Sequence, residues 1–493
     1  MKIEPFWGMQ PFRRLDPSFL SERRWLAVAF LLLSLVTGGQ LVLVTPMGQL
    51  ADEPSHAVRA ASLLDGQIIG QKMIVNGTMQ AGVYIDQGLY LASLYETLGH
   101  NGVVTPQTLA LARAIPWASP PVFAQISGSV IYPPLLYLPG IIGIGTGKAL
   151  GLRPLAVLYT GRLAMLLSYV TMGTLALLLA RAGRGVLFYL LMLPMALALG
   201  ASFNQDGELI ALAALAGALL TRDPALHPKS RWIAAALLAI LVCTKPPYGL
   251  LLFAAGLPIA ARNAPRRLIV LGICGLPALA WVALVAHTVL VPHMLPPYHP
   301  GPLWHGDPNQ TFTAADTHEG LRVLLAAPHL FLTLPLEYMQ SQAPGLWAEF
   351  VGRLGWLSLD LPHWEYRAWA AALAAALAGA ACGTSQDAKP WRASDALFVA
   401  VLLTASVIAV HIALYLSWTQ VGAAVISGVQ GRYFLPLVPF LPLLVPWLPA
   451  QLRQLPAWQR GLLLIEAGSI LPALLLACYD THALPALVLA RFG

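Results

Sequence analysis

Two stretches of the sequence decide the fold class: WLAVAFLLLSLVTGGQLVLV at residues 25–44 and LIVLGICGLPALAWVALVAHTVLV at residues 268–291. Neither contains Lys, Arg, Asp or Glu, and each has the length of about twenty residues that an α-helix needs to cross a bilayer core of ~30 Å. The chain of 493 residues is 57% hydrophobic and only 10% charged, whereas soluble domains carry about 25% charged residues. These values exclude a soluble globular protein and predict an all-α integral membrane protein.

About eleven membrane-spanning helices are predicted, within a range of 10–13. Two further apolar runs, 131–147 and 323–336, contain several prolines, and we interpret them as interfacial or re-entrant segments. The predicted spans are 25–45, 156–180, 186–201, 208–221, 232–244, 247–261, 268–291, 367–382, 396–416, 434–450 and 461–478.

The basic residues predict the orientation of these spans. More than half of the 29 Lys and Arg residues lie in the first 24 residues and in five short segments that follow every second span, which is the distribution expected of cytoplasmic segments. Because the net charge of +7 is divided among such loops and forms no stripe, no nucleic-acid partner is predicted. The predicted cytoplasmic segments are 1–24, 181–185, 222–231, 262–267, 383–395 and 451–460.

Two long loops are predicted to lie outside the cytoplasm, at 46–155 and 292–366. The first is expected to carry interfacial helices, and any chemistry is expected on this external side because long loops in compact proteins are usually functional. The transmembrane domain as a whole is assigned to 25–478, and an external tail to 479–493.

The four cysteines and the external histidines favour neither a disulfide framework nor a metal site. The cysteines (Cys243, Cys274, Cys382 and Cys478) show no paired spacing, and the histidines do not repeat on one helical face. No cofactor is therefore predicted, with a divalent metal left as an open alternative.

The segment ADEPSHAVR at residues 51–59 directly follows the first span and contains the strongest group of reactive side chains. Asp52 or Glu53 can deprotonate an acceptor hydroxyl, and His56 and Arg59 can bind a phosphate. The alternative is structural, because an Asp followed by an acidic residue and proline is a favourable helix start. Adjacent residues of a helix project about 100° apart, so we expect only one of the two carboxylates to face a cavity.

Two cations and one acidic turn also occur where predicted spans meet external loops. Lys245 and Arg432 are costly at an apolar surface unless they have a function, and we expect both to face one anionic site. The alternatives are snorkelling to headgroups for Lys245 and an interfacial anchor for Arg432. Asp206 and Glu208 form either a second acidic element or a solvated turn.

Several motifs resemble, in order, those of a family of bacterial polytopic membrane proteins known only as a domain of unknown function. That family is in turn similar to the GT-C glycosyltransferases. The resemblance covers about residues 25–450, and its most specific motif is the last one. The motifs are DEPSH at 52–56, YPP at 132–134, TKPPY at 244–248, GRLGWL at 352–357 and GVQGRYFLP at 428–436.

The resemblance implies a GT-C-like fold and an inverting glycosyltransferase of the bacterial cytoplasmic (inner) membrane. Such an enzyme transfers a sugar from a polyprenyl-phosphate-linked donor to a glycan or lipid acceptor of the cell envelope, on the extracytoplasmic side. A polytopic transporter or lipid-linked-sugar flippase, and a polysaccharide polymerase or ligase, remain the alternatives. In many relatives an aspartate follows the tryptophan of the GRLGWL motif, whereas here the nearest one is Asp360.

The same resemblance assigns roles to individual residues. Asp52 or Glu53 corresponds to the catalytic base, and Asp52 is preferred. The candidates for binding the donor phosphate are Lys245, Arg432, Tyr248 and Arg59, and the other cavity candidates are His56, Tyr132, Asp206 and Tyr433.

Overall fold

The structure is a computed structural model of the chain and describes residues 24–94, 102–382, 392–444, 465 and 468–493. Within these residues the α-helices are α1 (Arg24–Val44), α2 (Glu53–Leu64), α3 (Gln87–Ala92), α4 (Pro106–Ala114), α5 (Leu138–Ala149), α6 (Pro154–Leu179), α7 (Arg184–Met192), α8 (Pro194–Gly200), α9 (Asp206–Leu220), α10 (Pro228–Thr244), α11 (Ala264–Cys274), α12 (Leu276–Thr288), α13 (Thr317–Ala326), α14 (Leu330–Val351), α15 (His363–Ala381), α16 (Ala393–Ser417) and α17 (Leu471–Phe492). The 3-10 helices are η1 (Pro134–Tyr137), η2 (Pro246–Gly256) and η3 (Gly431–Leu443). The strands are β1 (Gln71–Val75), β2 (Thr78–Ile85), β3 (Val122–Gln125), β4 (Met294–Tyr298) and β5 (Phe312–Ala314).

Five of the described helices are long and apolar enough to cross a membrane: α1, α6, α11 continued by α12, α16 and α17. The pair α13–α14 is bent by 104° and adds a sixth crossing if it forms one broken span. The protein is therefore a largely helical membrane protein. Where the structure describes the other predicted spans, they correspond to helices that are shorter, broken or less apolar, so the count of eleven stays a prediction.

Prolines explain several of the short elements. Pro194 divides the predicted span 186–201 into α7 and α8, because it opens a new helix after the extended backbone of Leu193. In η3, Pro436, Pro439 and Pro442 occur at every third residue, which matches the three residues per turn of a 3-10 helix. All four prolines lie inside segments whose composition predicts ordinary spans.

The structure differs from the predicted organisation in two features. The fold is mostly helical and not all-α, because both long loops contain a small antiparallel sheet. Residues 479–493 do not form a tail, since α17 continues to Phe492. The run 131–147 forms η1 and the short α5, and 323–336 lies across the bend between α13 and α14. Most of the predicted segments 1–24 and 383–395, all of 451–460, and residues 445–464, 466 and 467 lie outside the described residues.

The first long loop folds as a small unit against the helices. Its three-stranded sheet has the order β1-β2-β3, and β1 and β2 form a hairpin closed by Asn76 and Gly77, both with positive φ. Asn-Gly is the preferred pair for such a two-residue hairpin turn. The inner face of β2 shares a buried apolar cluster with α2 and the first half of α6. This packing fixes the position of α2, which begins at the acidic motif.

Hydrogen bonds between loops sort the helix ends into two groups. In one group, Asn204 Nδ2 donates to the Ala51 carbonyl, and Trp356 Nε1 donates to the Gly48 carbonyl. In the other group, the Arg181 amide bonds to the Thr221 hydroxyl, and the Ile259 amide to the Asp395 carboxylate. These groups correspond to the loops that we predicted to lie on opposite sides of the membrane.

Candidate active site

Four helices begin at one polar cluster. Asp52 is the N-cap of α2, Asp206 is the first residue of α9, Lys245 is the N-cap of η2, and Arg432 is the second residue of η3. The N-terminus of an α-helix carries a partial positive charge and unpaired N–H groups, both of which favour anions. The arrangement therefore combines two carboxylates, two cations and several helix starts in one place.

Asp52 has an unusual backbone conformation, with φ 64° and ψ −4° in the left-handed region. Asp is one of the few residues that visits this region at modest cost. The expected helix start is present, because Asp52 is the N-cap residue of α2 and Glu53 lies in its first turn, but the Asp52 side chain forms no capping hydrogen bond. Instead, Arg432 Nη2 donates to Asp52 Oδ2 at 2.5 Å, across 380 residues of sequence. Half of the Asp52 side chain remains exposed, whereas that of Arg432 is almost fully buried.

The charge on Asp52 is controlled by this contact. Burial raises the pKa of the Asp52 carboxyl, but the charge of Arg432, its hydrogen bond to Asp52 and the neighbouring His56 together lower it by more, so the pKa lies below its ordinary value. The carboxylate is therefore ionised at neutral pH. A phosphate that drew the guanidinium of Arg432 away would remove the main cause of the lowered pKa and make Asp52 a stronger base.

His56 lies one helical turn after Asp52, and it is buried between two tyrosines. A hydrogen bond of 2.6 Å joins its Nδ1 to the Tyr137 hydroxyl, and its ring stacks on Tyr132 at a centroid distance of 5.9 Å. Burial lowers the pKa of His56 to about 4, so the imidazole is neutral at physiological pH. Burial also raises the pKa of Tyr132, which keeps that hydroxyl protonated as a potential donor.

Lys245 and Arg432 face the same aromatic ring. The Lys245 Nζ lies 4.7 Å from the centroid of the Tyr433 ring, and the Arg432 Cζ lies 5.5 Å from it. The two charged groups thus lie within about one Debye length of each other, ~10 Å at 0.1 M salt. Lys245 Nζ also forms an ion pair with Asp206 Oδ1 at 2.6 Å. The structure brings these four predicted residues into one cluster.

The turn that contains Asp206 and Glu208 is not solvated, so that alternative is wrong. Both side chains are buried. Asp206 holds Lys245, while Glu208 turns into the helices and accepts a hydrogen bond of 2.9 Å from the Ser168 hydroxyl. Asp206 therefore belongs to the polar cluster, and Glu208 contacts a different part of the molecule.

Three groups fix the backbone that carries Arg432 and Tyr433. The buried Tyr248 hydroxyl donates to the Tyr433 carbonyl at 2.5 Å, and Glu349 Oε2 accepts from the Gly431 amide at 2.8 Å. Gln430 Oε1 accepts from Arg432 Nε at 2.6 Å. A Cβ atom on Gly431 would collide with the Leu346 carbonyl oxygen. The predicted phosphate-binding residue Tyr248 therefore acts here as a support for the backbone.

Glu53, the second predicted catalytic residue, points into the protein interior. Its carboxylate forms a two-pronged ion pair with Arg162, with distances of 2.6 Å to Nε and 2.5 Å to Nη2. Neither side chain is more than 1% exposed. The same carboxylate accepts from the amides of Gly48 and Phe203. Glu53 is therefore a positioning residue, as we expected for one of the two adjacent carboxylates.

Arg162 also holds the segment that leads to Asp52. Its guanidinium donates to the carbonyls of Val42, Thr45 and Pro46, which connect α1 to the acidic motif. Close to the other end of this segment, the Ala51 amide donates to the Gly355 carbonyl, so the GRLGWL motif supports the acidic motif from a second side. Together these bonds explain how the left-handed backbone of Asp52 is maintained.

Two other candidates lie away from the cluster. The guanidinium of Arg59 donates to the carbonyls of Gln67, Ile68 and Tyr132, and this arrangement stabilises the first loop. Asp360 accepts from Arg353 Nε at 2.7 Å. The geometry thus gives Arg59 a structural role and provides no place for Asp360 in the site.

A cavity of about 300 Å³ adjoins the cluster. Lys245, Tyr433, Tyr132 and Thr244 form its polar end, and its walls are apolar side chains of α12 and α16. Both helices belong to segments that are long and apolar enough to span a membrane. The wall residues are Trp281, Val282, Val285, Ala286, Val410, Ala413 and Leu414, with Leu290 beyond the end of α12.

Sequence reasoning missed Arg162, Tyr137, Gln430 and Glu349. Only Arg162 had a clear signal, because an arginine within a long apolar helix is costly unless it has a specific partner. Among the described residues, no group of three or more His, Cys, Asp or Glu side chains is arranged to hold a metal ion. Among the described residues, the charged groups of the cluster are the cations of Lys245 and Arg432 and the carboxylates of Asp52 and Asp206.

The fold and the site define a helical membrane protein with a buried polar cluster at one end of its helices. Its sequence places it in a family: residues 35–441 match the family described as predicted membrane protein (DUF2142), and the chain belongs to that family. This confirms the resemblance to a membrane-protein family of unknown function. No curated protein and no solved structure matches the chain.

Proposed function

We propose that the protein is an inverting glycosyltransferase of GT-C type that uses a polyprenyl-phosphate-linked sugar. The observation that supports it best is the half-exposed Asp52 carboxylate, held on a left-handed backbone beside Arg432 and close to Lys245. An ionised carboxylate and two cations are the groups needed to deprotonate an acceptor and to stabilise a phosphate leaving group.

In this proposal the donor phosphate binds between Lys245 and Arg432, and the polyprenyl chain enters the cavity between α12 and α16. The acceptor hydroxyl transfers its proton to Asp52 as its oxygen bonds to the anomeric carbon. At the same time the bond from that carbon to the phosphate oxygen breaks. The phosphate gains negative charge, which Lys245 and Arg432 stabilise, and attack from the opposite face inverts the anomeric configuration.

The proposed setting is a bacterial cytoplasmic membrane crossed about eleven times, with the N-terminus inside and the active site outside. The acceptor is a glycan or lipid of the cell envelope. Orientation is tested with a single cysteine at His227, in a chain whose four native cysteines are replaced. A membrane-impermeant thiol reagent should label it only after the cells are permeabilised, and labelling of intact cells would contradict this orientation.

Activity is tested with purified protein in nanodiscs, a panel of polyprenyl-phosphate-linked sugars and envelope extract as acceptor. We expect release of the polyprenyl phosphate by the wild-type chain. Asp52→Asn should lower the rate about 10²–10⁴-fold, as removal of a general base does. The matched control is Asp65→Asn, because Asp65 forms a surface ion pair with Lys148. Equal rates for the two variants would contradict the proposal.

A transporter or lipid-linked-sugar flippase is the second candidate, and one observation favours it. Glu365 of α15 and Asp480 of α17 are buried carboxyl groups within apolar helices, and such groups often mark ion pathways in transporters. A flippase would move a lipid-linked sugar in vesicles without cleaving it. A polymerase or ligase would instead release the same lipid but extend a longer acceptor.

A further inference from the structure

A second groove lies on the other side of the acidic motif and shares no lining residue with the cavity at Lys245. Its volume is about 660 Å³, within the range of ligand-binding pockets of ~300–1,000 Å³. Its apolar walls are the C-terminal ends of α1 and α17 and the N-terminal end of α6. The wall residues are Leu43, Val44, Leu155, Ala156, Tyr159, Leu489 and Phe492.

The position of this groove suits a membrane lipid. All three helices that form its walls are long and apolar enough to cross a membrane, and the groove lies where these helices end. Leu43 and Leu489 are largely exposed on its surface, as expected of side chains that face acyl chains. Helix ends of this kind lie at the depth of the lipid headgroups.

Two arginines form the polar rim of the groove. Arg113 is in the last turn of α4, and Arg153 is the N-cap of α6. Arg153 Nη1 donates to the carbonyls of Arg113 and Ala114, at 3.4 Å and 3.2 Å, so both arginines lie at one end of the groove. In the described part of the chain, neither arginine forms an ion pair with a carboxylate. Both arginines line the groove, and positive charges at headgroup depth attract an anion.

We propose that this groove binds one anionic phospholipid, with its headgroup phosphate at Arg113 and Arg153 and an acyl chain between α1, α6 and α17. This proposal does not depend on the proposed transferase activity. A hydrogen bond of 2.7 Å from the Val104 amide to the Phe492 carbonyl closes one side of the groove, which separates it from open solvent and favours an acyl chain.

The bound lipid would contact the same segment that positions Asp52. Pro46 lines the groove, and its carbonyl accepts a hydrogen bond from Arg162. Tyr159 also lines the groove, and its ring lies 5.4 Å from the Arg162 guanidinium. A lipid in the groove therefore covers the outer side of the Glu53–Arg162 ion pair and should stabilise the folded chain.

The experiment is native mass spectrometry of the full-length chain with phosphatidylglycerol or phosphatidylcholine. We expect one tightly retained phosphatidylglycerol. Arg113→Gln and Arg153→Gln should each weaken its retention about fivefold, the equivalent of ~1 kcal/mol per arginine at a membrane surface. The control is Arg322→Gln, which removes a surface arginine paired with Glu319 and should retain the lipid like the wild type.

A second variant tests the acyl-chain part of the groove. Ala156→Trp fills the space between the walls and should abolish retention, whereas Ala283→Trp, at an exposed position of α12, should not. Equal retention of the two lipids, equal loss in the Arg322→Gln control, or full retention by Ala156→Trp would overturn the proposal. Because the readout is binding, it distinguishes this failure from a loss of sugar transfer.

Discussion

Two neighbouring ion pairs, Asp52–Arg432 and Glu53–Arg162, join similar groups in opposite environments. Glu53 and Arg162 are both buried, and the carboxylate accepts from two main-chain amides as well. Asp52 keeps half of its side chain exposed and forms one contact, with Arg432. The first pair fixes the backbone, and the second leaves a carboxylate half-exposed. Glu53 therefore has a structural role, and the adjacent Asp52 is the residue to which we assign a chemical role in the proposed function.

The largest expected effect concerns the buried pair. Glu53→Gln leaves the Arg162 guanidinium buried without its counter-charge, and removal of one partner of such a pair costs about 3–5 kcal/mol. We expect a large fall in the thermal unfolding temperature of the purified protein in detergent, measured by intrinsic fluorescence. Arg162→Met should have a similar effect because it isolates Glu53.

The control for this prediction is Glu319→Gln. Glu319 pairs with the exposed Arg322 at 2.8 Å, and surface pairs contribute only about 0–1 kcal/mol. If Glu53→Gln unfolds at the same temperature as Glu319→Gln, the distinction between the buried and the half-exposed pair is wrong.

The sequence was sufficient to identify most members of the cluster but not their partners. Asp52, Lys245, Arg432 and Asp206 were recognisable because each is a charged residue beside an apolar segment. Their pairing depends on how distant helices pack, and 380 residues separate Asp52 from Arg432. Glu53 is the clearest example, since its partner lies 109 residues away in α6.

Secondary structure could also be predicted only in part: the long helices were predictable, whereas the 3-10 segments and helix breaks were not. The long apolar helices were recognisable from length and hydropathy alone, whereas the 3-10 geometry of η3 depends on prolines at every third residue. The Asn76-Gly77 pair between β1 and β2 is a strong hairpin signal in the sequence. The break at Pro194 was likewise visible in the sequence, but its effect on the span depended on packing.

A smaller effect on stability is expected from a substitution at Gly431, next to Arg432 of the Asp52–Arg432 pair. Gly431→Ala places a methyl group against the Leu346 carbonyl, and overpacking of this kind costs about 1–3 kcal/mol. It should also displace Arg432 from Asp52 and thereby reduce sugar transfer.

Unfolding temperature and initial rate are compared with those of Gly39→Ala, a helical glycine whose added methyl would meet no atom within 4 Å. Glycine to alanine in a helix is normally neutral or stabilising, so Gly39→Ala should not be destabilised. Identical behaviour of the two variants would show that η3 can move without disturbing the cluster.

The next prediction concerns pH and the buried His56. Its pKa is about 4 in the folded protein, against an ordinary value of 6.5. Between these values the unfolded chain binds a proton that the folded chain excludes, so folding stability should fall as the pH decreases from 6.5 towards 4. The slope is up to ~1.4 kcal/mol per pH unit. The unfolding temperature, measured between pH 7.5 and pH 5, should show this fall.

The control variants for the pH experiment are His56→Gln and His318→Gln. His56→Gln removes the titrating ring and should flatten the dependence between pH 6.5 and pH 5. His318 is exposed, so His318→Gln should keep the slope of the wild type. An unchanged slope in His56→Gln would mean that other groups cause the pH dependence.

The smallest expected effect on stability comes from Asp52, although its expected effect on activity is large. Asn adopts the left-handed backbone about as readily as Asp, so Asp52→Asn preserves the local conformation. Arg432 is almost fully buried, but the Asp52 side of the pair is half-exposed, so water can approach the site and the asparagine oxygen can still accept from the guanidinium. The expected loss is about 1 kcal/mol, nearer to that of a surface pair than to the ~3–5 kcal/mol of a fully buried one. The unfolding temperature of Asp52→Asn should therefore stay close to that of the wild type and well above that of Glu53→Gln.

Asp52→Val provides the contrast, because a β-branched residue is strained at positive φ, and it should unfold at a lower temperature than Asp52→Asn. If Asp52→Asn is as unstable as Glu53→Gln, both carboxylates are structural, and the role of Asp52 as a base loses its physical support.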